Sequence, residues 1–132
     1  MDFNEDVSRA MTSLQREKES GKIVSTFSFH RDLPLFRGHF PGMPLLPGVM
    51  QIEMARATVS GALERPFSVA AIRKAKFSTP ILPDTEVRLE VETEEADGRV
   101  NVKGRLLAPD GEAGRIAMTL IPAPRKTKGA TP

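Results

Sequence analysis

The chain has 132 residues and contains no cysteine, no tryptophan and no tyrosine. Without cysteine it cannot form a disulfide, a thiolate nucleophile or a cysteine-ligated zinc or iron–sulfur site, which fits a reducing compartment. The scarcity of aromatic rings argues against a single-stranded nucleic-acid partner, because such sites stack bases on exposed rings beside a basic groove. No apolar run approaches the ~20 residues that a membrane span needs, and the acidic start, residues 1–6, lacks the apolar core of a secretory signal. We therefore expect a single domain in the cytoplasm, with no nucleic-acid partner and no membrane span.

The two ends of the chain are predicted to lie outside the main body of strands. Residues 1–20 are predicted to carry an N-terminal helix, since 4–18 suit a short amphipathic helix capped by Asn4. The side chains expected on its apolar face are Val7, Met11 and Leu14. Residues 123–132 are predicted to be a flexible basic tail.

One long helix is expected near the middle of the chain. Residues 22–30 first alternate in polarity, which predicts a strand, and its inner side chains would be Ile23, Ser25, Phe27 and Phe29. After a proline-containing loop at 32–46, Pro47 suits the first position of a helix that runs to about Glu64. That helix is apolar nearly all round, which predicts that it is enclosed on all sides.

Downstream of the helix the pattern changes to period two. It predicts a strand at 67–77 and three further strands, joined by hairpin turns at Asp97-Gly98 and at 109–111. The inward rows of these three strands are Val87/Leu89/Val91, Val100/Val102/Leu106 and Ile116/Met118/Leu120. The predicted fold is therefore α+β, with an antiparallel sheet wrapped around one long central helix.

The segment from His39 to Glu53 is the strongest candidate for a functional site. Three prolines and two glycines between His39 and Val49 restrict the backbone. Such constraint is typical of a loop that positions an acid and a base around one small substrate. A neutral His39 accepts a proton near neutral pH, so it is a candidate general base. The alternative is a loop histidine that only hydrogen-bonds its neighbours.

The start of the long helix is a second candidate feature. Leu45 and Leu46 offer no side-chain cap, so the first amides of the helix need another acceptor. A thioester carbonyl bound by the amides of Gly48 and Val49 would be polarised, and Gly48 has no side chain to block its approach. The alternative acceptor is water or a nearby loop carbonyl.

Glu53 lies early in the helix among apolar residues. Burial would disfavour its charged form and suit it to relay a proton to a departing hydroxyl. The alternative is an ordinary i,i+3 ion pair with Arg56 on a partly exposed face. His30, at the end of a strand, is predicted to be a surface residue, and two histidines without an acid cluster predict no metal site.

The segment 38–49, followed by Glu53, resembles the active-site motif of the 3-hydroxyacyl-(acyl-carrier-protein) dehydratases. These are hotdog-fold enzymes of fatty-acid synthesis, and related members serve aryl-polyene pathways. Residues 71–83 resemble the strand that closes the acyl tunnel in this family. The resemblance implies a single hotdog domain over 1–132 that needs no cofactor and acts on acyl chains held by acyl carrier protein.

Carried over to this chain, the resemblance implies that His39 removes the C2 proton and that Glu53 protonates or orients the leaving 3-hydroxyl. Gly48 would bind the thioester carbonyl with help from Val49. The family places the histidine and the acid on different subunits, which implies a homodimer or a trimer of dimers. A glutamate rather than an aspartate resembles the branch that only dehydrates. Candidate docking charges for an acidic carrier protein are Arg37, Arg73, Lys74, Lys76 and the basic tail at 125–128.

Several positions depart from the family pattern. The usual N-terminal Pro-His-Arg-Tyr-Pro-Phe segment is missing, and Ala57 stands where glutamine is common. Ser78 and Thr79 replace basic residues, and no tyrosine is available to gate the tunnel. These departures favour a divergent dehydratase. Two alternatives remain, a hotdog thioesterase acting on the same substrates and a non-catalytic partner that binds the acyl carrier protein.

Overall fold

The computed structural model describes residues 3–36 and 46–124. Its elements are α1 (Phe3–Ala10), β1 (Met11–Arg16), β2 (Ile23–Phe27), a short 3-10 turn (Pro34–Phe36), α2 (Gly48–Leu63), β3 (Phe67–Phe77), β4 (Val87–Ala96), β5 (Arg99–Ala108) and β6 (Gly111–Pro122). The predicted helix over 47–64 and the predicted strand over 67–77 are confirmed.

The strands form one antiparallel sheet in the order β1-β2-β4-β5-β6-β3. Both hairpin turns are confirmed, since Ala96 pairs with Arg99 and Ala108 pairs with Gly111. At the first turn Asp97 and Gly98 have φ values of 52° and 76°. Two successive positive φ angles match a type I′ turn, whose twist suits the flanking strands. Because β3 pairs only with β6 in this order, it forms one edge of the described sheet.

The N-terminal prediction was partly wrong. The helix begins at Phe3, so Asn4 does not cap it, and it ends at Ala10 rather than near residue 18. Met11–Arg16 instead forms a strand that pairs with β2. The physical reason is that β2 would otherwise present an unpaired edge, and tertiary strand pairing outweighs a weak local helical preference. Leu14 still faces α2, because a Cβ added to Gly61 would lie 2.9 Å from its Cδ2.

The concave side of the sheet holds α2. The four side chains predicted to point inward from the strand at 22–30 are buried, at most 1% exposed, but the strand itself is shorter than predicted: β2 ends at Phe27, and Phe29 lies beyond it. The buried residues of α2 are Met50, Gln51, Met54, Ala55, Thr58 and Val59. The prediction that α2 is enclosed on all sides was wrong for this protomer: Val49 is 58% exposed and Gly61 is exposed. The sheet covers one side of the helix, and the rest remains partly open.

A pair of buried hydroxyls fixes α2 against the sheet. Ser25 Oγ of β2 and Thr58 Oγ1 of α2 lie 2.8 Å apart, and both residues are fully buried. Thr58 Oγ1 also donates to Met54 O at 2.8 Å. Since the single proton of Thr58 is used in that bond, Ser25 is the donor between the two hydroxyls. This contact sets the position of the helix, and therefore of Glu53, on the sheet.

Candidate active site

The first turn of α2 lacks a side-chain cap, as predicted from the sequence. Pro47 is the N-cap residue, with φ −62° and ψ 149°, and makes no side-chain cap hydrogen bond. Its carbonyl accepts the N–H of Met50 at 3.1 Å and that of Gln51 at 3.4 Å. Within residues 3–36 and 46–124, neither the Gly48 N–H nor the Val49 N–H donates a hydrogen bond. Among the described residues nothing satisfies these two amides, and the positive end of the helix dipole favours an acceptor there.

The residue that leads into this turn is anchored on two sides. Leu46 is buried, and its N–H donates to Ile81 O at 2.8 Å. Its carbonyl accepts Gln51 Nε2 at 3.3 Å. Gln51 is itself buried, and its Oε1 has no hydrogen-bond partner among the described parts of the chain. Gln51 was missed in the sequence analysis, because its only signal is a polar side chain within an apolar helix.

The space beside Gly48 is occupied by protein rather than open. A Cβ added to Gly48 would lie 2.5 Å from Cε2 of Phe77, at the end of β3. The missing side chain of Gly48 therefore accommodates this ring, which is a different reason for a glycine than the substrate approach expected from the sequence. Phe77 is 39% exposed and was not singled out as a site residue.

Glu53 follows one turn after Val49 and is held by Arg56. Arg56 Nε donates to Glu53 Oε1 at 2.5 Å and to Oε2 at 2.9 Å, and Nη2 donates to Oε2 at 2.7 Å. Arg56 Nη1 also donates to Phe67 O at 3.0 Å. The Glu53 side chain is only 15% exposed. The i,i+3 pair considered from the sequence is therefore present, and it fixes the orientation of a largely buried carboxylate.

His39 lies outside the described residues, so its distance from Glu53 stays untested. The other histidine, His30, is exposed, as predicted, and its Nδ1 accepts the N–H of Asp32 at 3.1 Å. Among the residues that the structure describes, no group of three or more metal-ligating side chains comes together. No helix in the same ranges is long and apolar enough to cross a membrane.

An antiparallel sheet curved around one main helix defines the hotdog class of α+β proteins, and solved structures of that class superpose on this chain. The PaaI protein of E. coli matches with a TM-score of 0.66 at 10% identity, over 89% of this chain and 88% of that one. The dehydratase heterocomplex ApeI:P from Xenorhabdus doucetiae matches with a TM-score of 0.68 at 25% identity, over 84% of this chain and 96% of that one. The predicted fold class is confirmed.

The family model of the ApeI-like dehydratases matches residues 15–108. This chain belongs to that family. Among curated relatives, the 3-hydroxyacyl-(acyl-carrier-protein) dehydratase FabZ of Proteus mirabilis is 41% identical over 107 residues, which cover 71% of this chain and 69% of that protein. FabZ of Koribacter versatilis is 39% identical over 84 residues, or 57% of this chain. The chain spans about half the length of this second relative, 53%.

Proposed function

We propose that this protein is a dehydratase that converts a 3-hydroxyacyl thioester of acyl carrier protein into the trans-2-enoyl thioester. The observation that carries the proposal is the start of α2, where two amides without partners in the described chain precede a largely buried glutamate by one turn. Because the chain belongs to a dehydratase family, we assign dehydration as the reaction that this arrangement carries out. Fatty-acid synthesis or a related polyene or polyketide route would use the product.

In the proposed reaction, His39 removes a proton from C2 of the substrate. The negative charge moves onto the thioester oxygen, where the N–H groups of Gly48 and Val49 stabilise it. The C3–O bond then breaks as Glu53, protonated in the reactive form, gives its proton to the leaving hydroxyl, and water departs. The electron pair from the C2–H bond becomes the C2–C3 double bond. Before the next turnover His39 loses the proton it took and Glu53 regains one, so the net reaction releases only water. The steps balance without an oxidant, a metal or an organic cofactor.

The proposed assembly is a homodimer, or a trimer of dimers, in which His39 and Glu53 of neighbouring subunits meet. The edge strand β3 supports this proposal, because it carries the exposed side chains of Ile72 (50%) and Phe77 (39%). An unpaired edge with apolar side chains favours pairing with a second strand. The similar structure from Xenorhabdus doucetiae is a dehydratase heterocomplex, so a different chain is the second candidate partner. Mass measurement of the protein in solution separates a monomer from either assembly.

The carrier protein is proposed to dock through basic side chains on β3. Arg73, Lys74 and Lys76 are all exposed on this strand, and Arg73 Nη2 donates to Asn101 Oδ1 at 2.7 Å. Arg37 and the tail at 125–128 lie outside the described residues. The proposed location is the cytoplasm, where acyl groups are loaded onto acyl carrier protein and processed.

The test is an assay of the full chain with a 3-hydroxyacyl carrier-protein thioester, following enoyl product and free thiol separately. We expect enoyl product that falls by about 10²–10⁴ in His39→Ala and in Glu53→Gln, because each change removes a proton-transfer group. His30→Ala is the matched control and should keep full activity, since its ring is exposed and bonds only locally. Thiol release without enoyl product would identify a thioesterase, and binding without turnover would identify a non-catalytic partner.

A further inference from the structure

Phe77 and the first turn of α2 are packed so closely that a side chain at position 48 would overlap the Phe77 ring. A Cβ built on Gly48 would lie 2.5 Å from Cε2, 2.9 Å from Cδ2 and 3.2 Å from Cζ of the Phe77 ring. Ordinary van der Waals contact between carbons begins near 3.5 Å. The ring therefore lies directly against the backbone of the residue whose N–H is proposed to bind the thioester.

A second glycine makes room on the other side of the ring. Gly114 of β6 pairs with Phe77 of β3. A Cβ on Gly114 would lie 3.3 Å from Cδ1 of Phe77, but only 2.8 Å from the backbone oxygen of Lys76. The ring thus occupies a slot, which we call the ring slot, formed by Gly48 and Gly114. The two glycines differ in what an added Cβ would meet. At Gly48 it would meet the Phe77 side chain, whereas at Gly114 the nearest atom is the backbone oxygen of Lys76.

The ring slot lies at the end of the helix where a substrate carbonyl would bind. In an α-helix the Cα–Cβ bonds tilt toward the N-terminus, and the free N–H groups of the first turn point out of the same end. The ring fills the Cβ direction of Gly48, so it borders the space in front of that amide. Phe77 is 39% exposed, so part of this residue remains accessible.

We propose that Phe77 is a specificity-determining residue whose ring limits the size of the substituent on C2 of the acyl chain. The inference rests on the proposed function. A carbonyl oxygen bound by the Gly48 N–H lies roughly 3 Å from the nitrogen, which places C2 within roughly 5 Å of it. The two groups bonded to the carbonyl carbon, C2 and the thioester sulfur, are thus the substrate groups nearest to the Gly48 amide, and of these only C2 carries a substituent that varies between acyl chains. A hydrogen on C2 fits beside the Phe77 ring, whereas a methyl group on C2 would overlap the ring.

The kinetic test compares two carrier-protein thioesters that differ by one methyl group, an unbranched 3-hydroxyacyl chain and its 2-methyl counterpart. We expect the wild-type chain to prefer the unbranched substrate. Phe77→Leu should raise the ratio of kcat/KM values, branched over unbranched, by about tenfold or more, because one methyl group in an apolar pocket is worth at least about that factor. Phe77→Met serves as a second variant if the leucine chain folds poorly.

Phe67→Leu is the matched control, because Phe67 lies at the opposite end of β3 and is buried. It should lower stability without changing the substrate ratio. An unchanged ratio in both Phe77 variants, with the unbranched substrate still converted, overturns the role of Phe77 alone. A wild-type chain that converts neither thioester refutes the proposed function, and the selection role is refuted with it.

The ring slot itself is tested by thermal unfolding, which does not depend on activity. Gly48→Ala should lower Tm in the wild-type background, and Phe77→Leu should restore most of that loss in the double variant. Gly114→Ala should lower Tm in both backgrounds, because its closest obstacle is the backbone oxygen of Lys76, which the Phe77→Leu change does not remove. If Gly48→Ala lowers Tm equally in the wild-type background and in the Phe77→Leu background, the ring does not border Gly48. That result would overturn the inference.

Discussion

Removing the hydroxyl of Thr58 should cost more than removing the hydroxyl that it contacts. Thr58→Val keeps the shape of the side chain but leaves the Ser25 hydroxyl, fully buried, without its acceptor at 2.8 Å. A buried donor without an acceptor costs about 1–3 kcal/mol. Ser25→Ala removes the donor instead, and Thr58 keeps its bond to Met54 O. We expect this second change to cost about 1 kcal/mol or less.

The two changes are coupled, so a double-mutant cycle measures the contact. Ser25→Ala combined with Thr58→Val removes both polar groups and should cost clearly less than the sum of the two single changes. Urea unfolding at constant pH gives the change in the free energy of unfolding for each of the three variants. In thermal unfolding, Thr58→Val should lower Tm by about 3–5 °C for each kcal/mol lost in a chain of this size. Additive effects, or a Ser25→Ala cost larger than that of Thr58→Val, would refute the assignment of Ser25 as the donor.

Two further predictions concern the surface of the sheet. Gly98→Ala should lower stability by about 1–2 kcal/mol, since φ is 76° at this turn position, and urea unfolding would show it; an unchanged midpoint would contradict the type I′ turn. The guanidinium of Arg115, which hydrogen-bonds Glu112, lowers the pKa of that carboxyl below its ordinary value of 4.5. Glu112→Gln should therefore lower Tm at neutral pH, and the difference from wild type should disappear as the pH falls below 4.5 through the pKa of the folded state. A difference that persists in strong acid would mean that packing, not charge, is responsible.

The strands downstream of α2 were predictable because their signal is local. Alternation over a few residues and a turn with Asp97-Gly98 need no knowledge of the rest of the chain. β1 was not predictable in this way, because Met11–Arg16 becomes a strand only by pairing with β2. The spacing of Met11 and Leu14 also suits a helix, so the local pattern pointed to the wrong element.

The site shows the same division between local and distant causes. The absence of a side-chain cap before Gly48 could be predicted from the neighbouring residues. The contact of Gly48 with Phe77 could not, because it depends on how the end of β3 meets the start of α2. A glycine at a helix start is compatible both with substrate approach and with a ring from elsewhere. Only the packed structure separates these two reasons.

The pairing of Glu53 with Arg56 bears directly on the proposed acid. The three hydrogen bonds from Arg56 occupy three of the roughly four acceptor positions of the two carboxylate oxygens, and an ionised carboxylate accepts hydrogen bonds but has no proton to donate. Proton donation by Glu53 therefore requires that its carboxyl first takes up a proton, and the loss of its charge weakens the hydrogen bonds from Arg56. The guanidinium is also held on its other side, since Nη1 donates to Phe67 O at 3.0 Å and to Ser60 Oγ at 3.4 Å.

Arg56→Met tests whether the ion pair belongs to the resting state or to the reacting one. If the protonated carboxyl acts without the guanidinium, kcat/KM of the variant should fall by no more than about tenfold, much less than the loss of about 10²–10⁴ expected for Glu53→Gln. Its Tm should fall, because Phe67 O loses a partner. A folded Arg56→Met chain as inactive as Glu53→Gln would show instead that the ion pair persists during the reaction. Glu53 would then orient the hydroxyl as an acceptor, and its proton would have to come from another group.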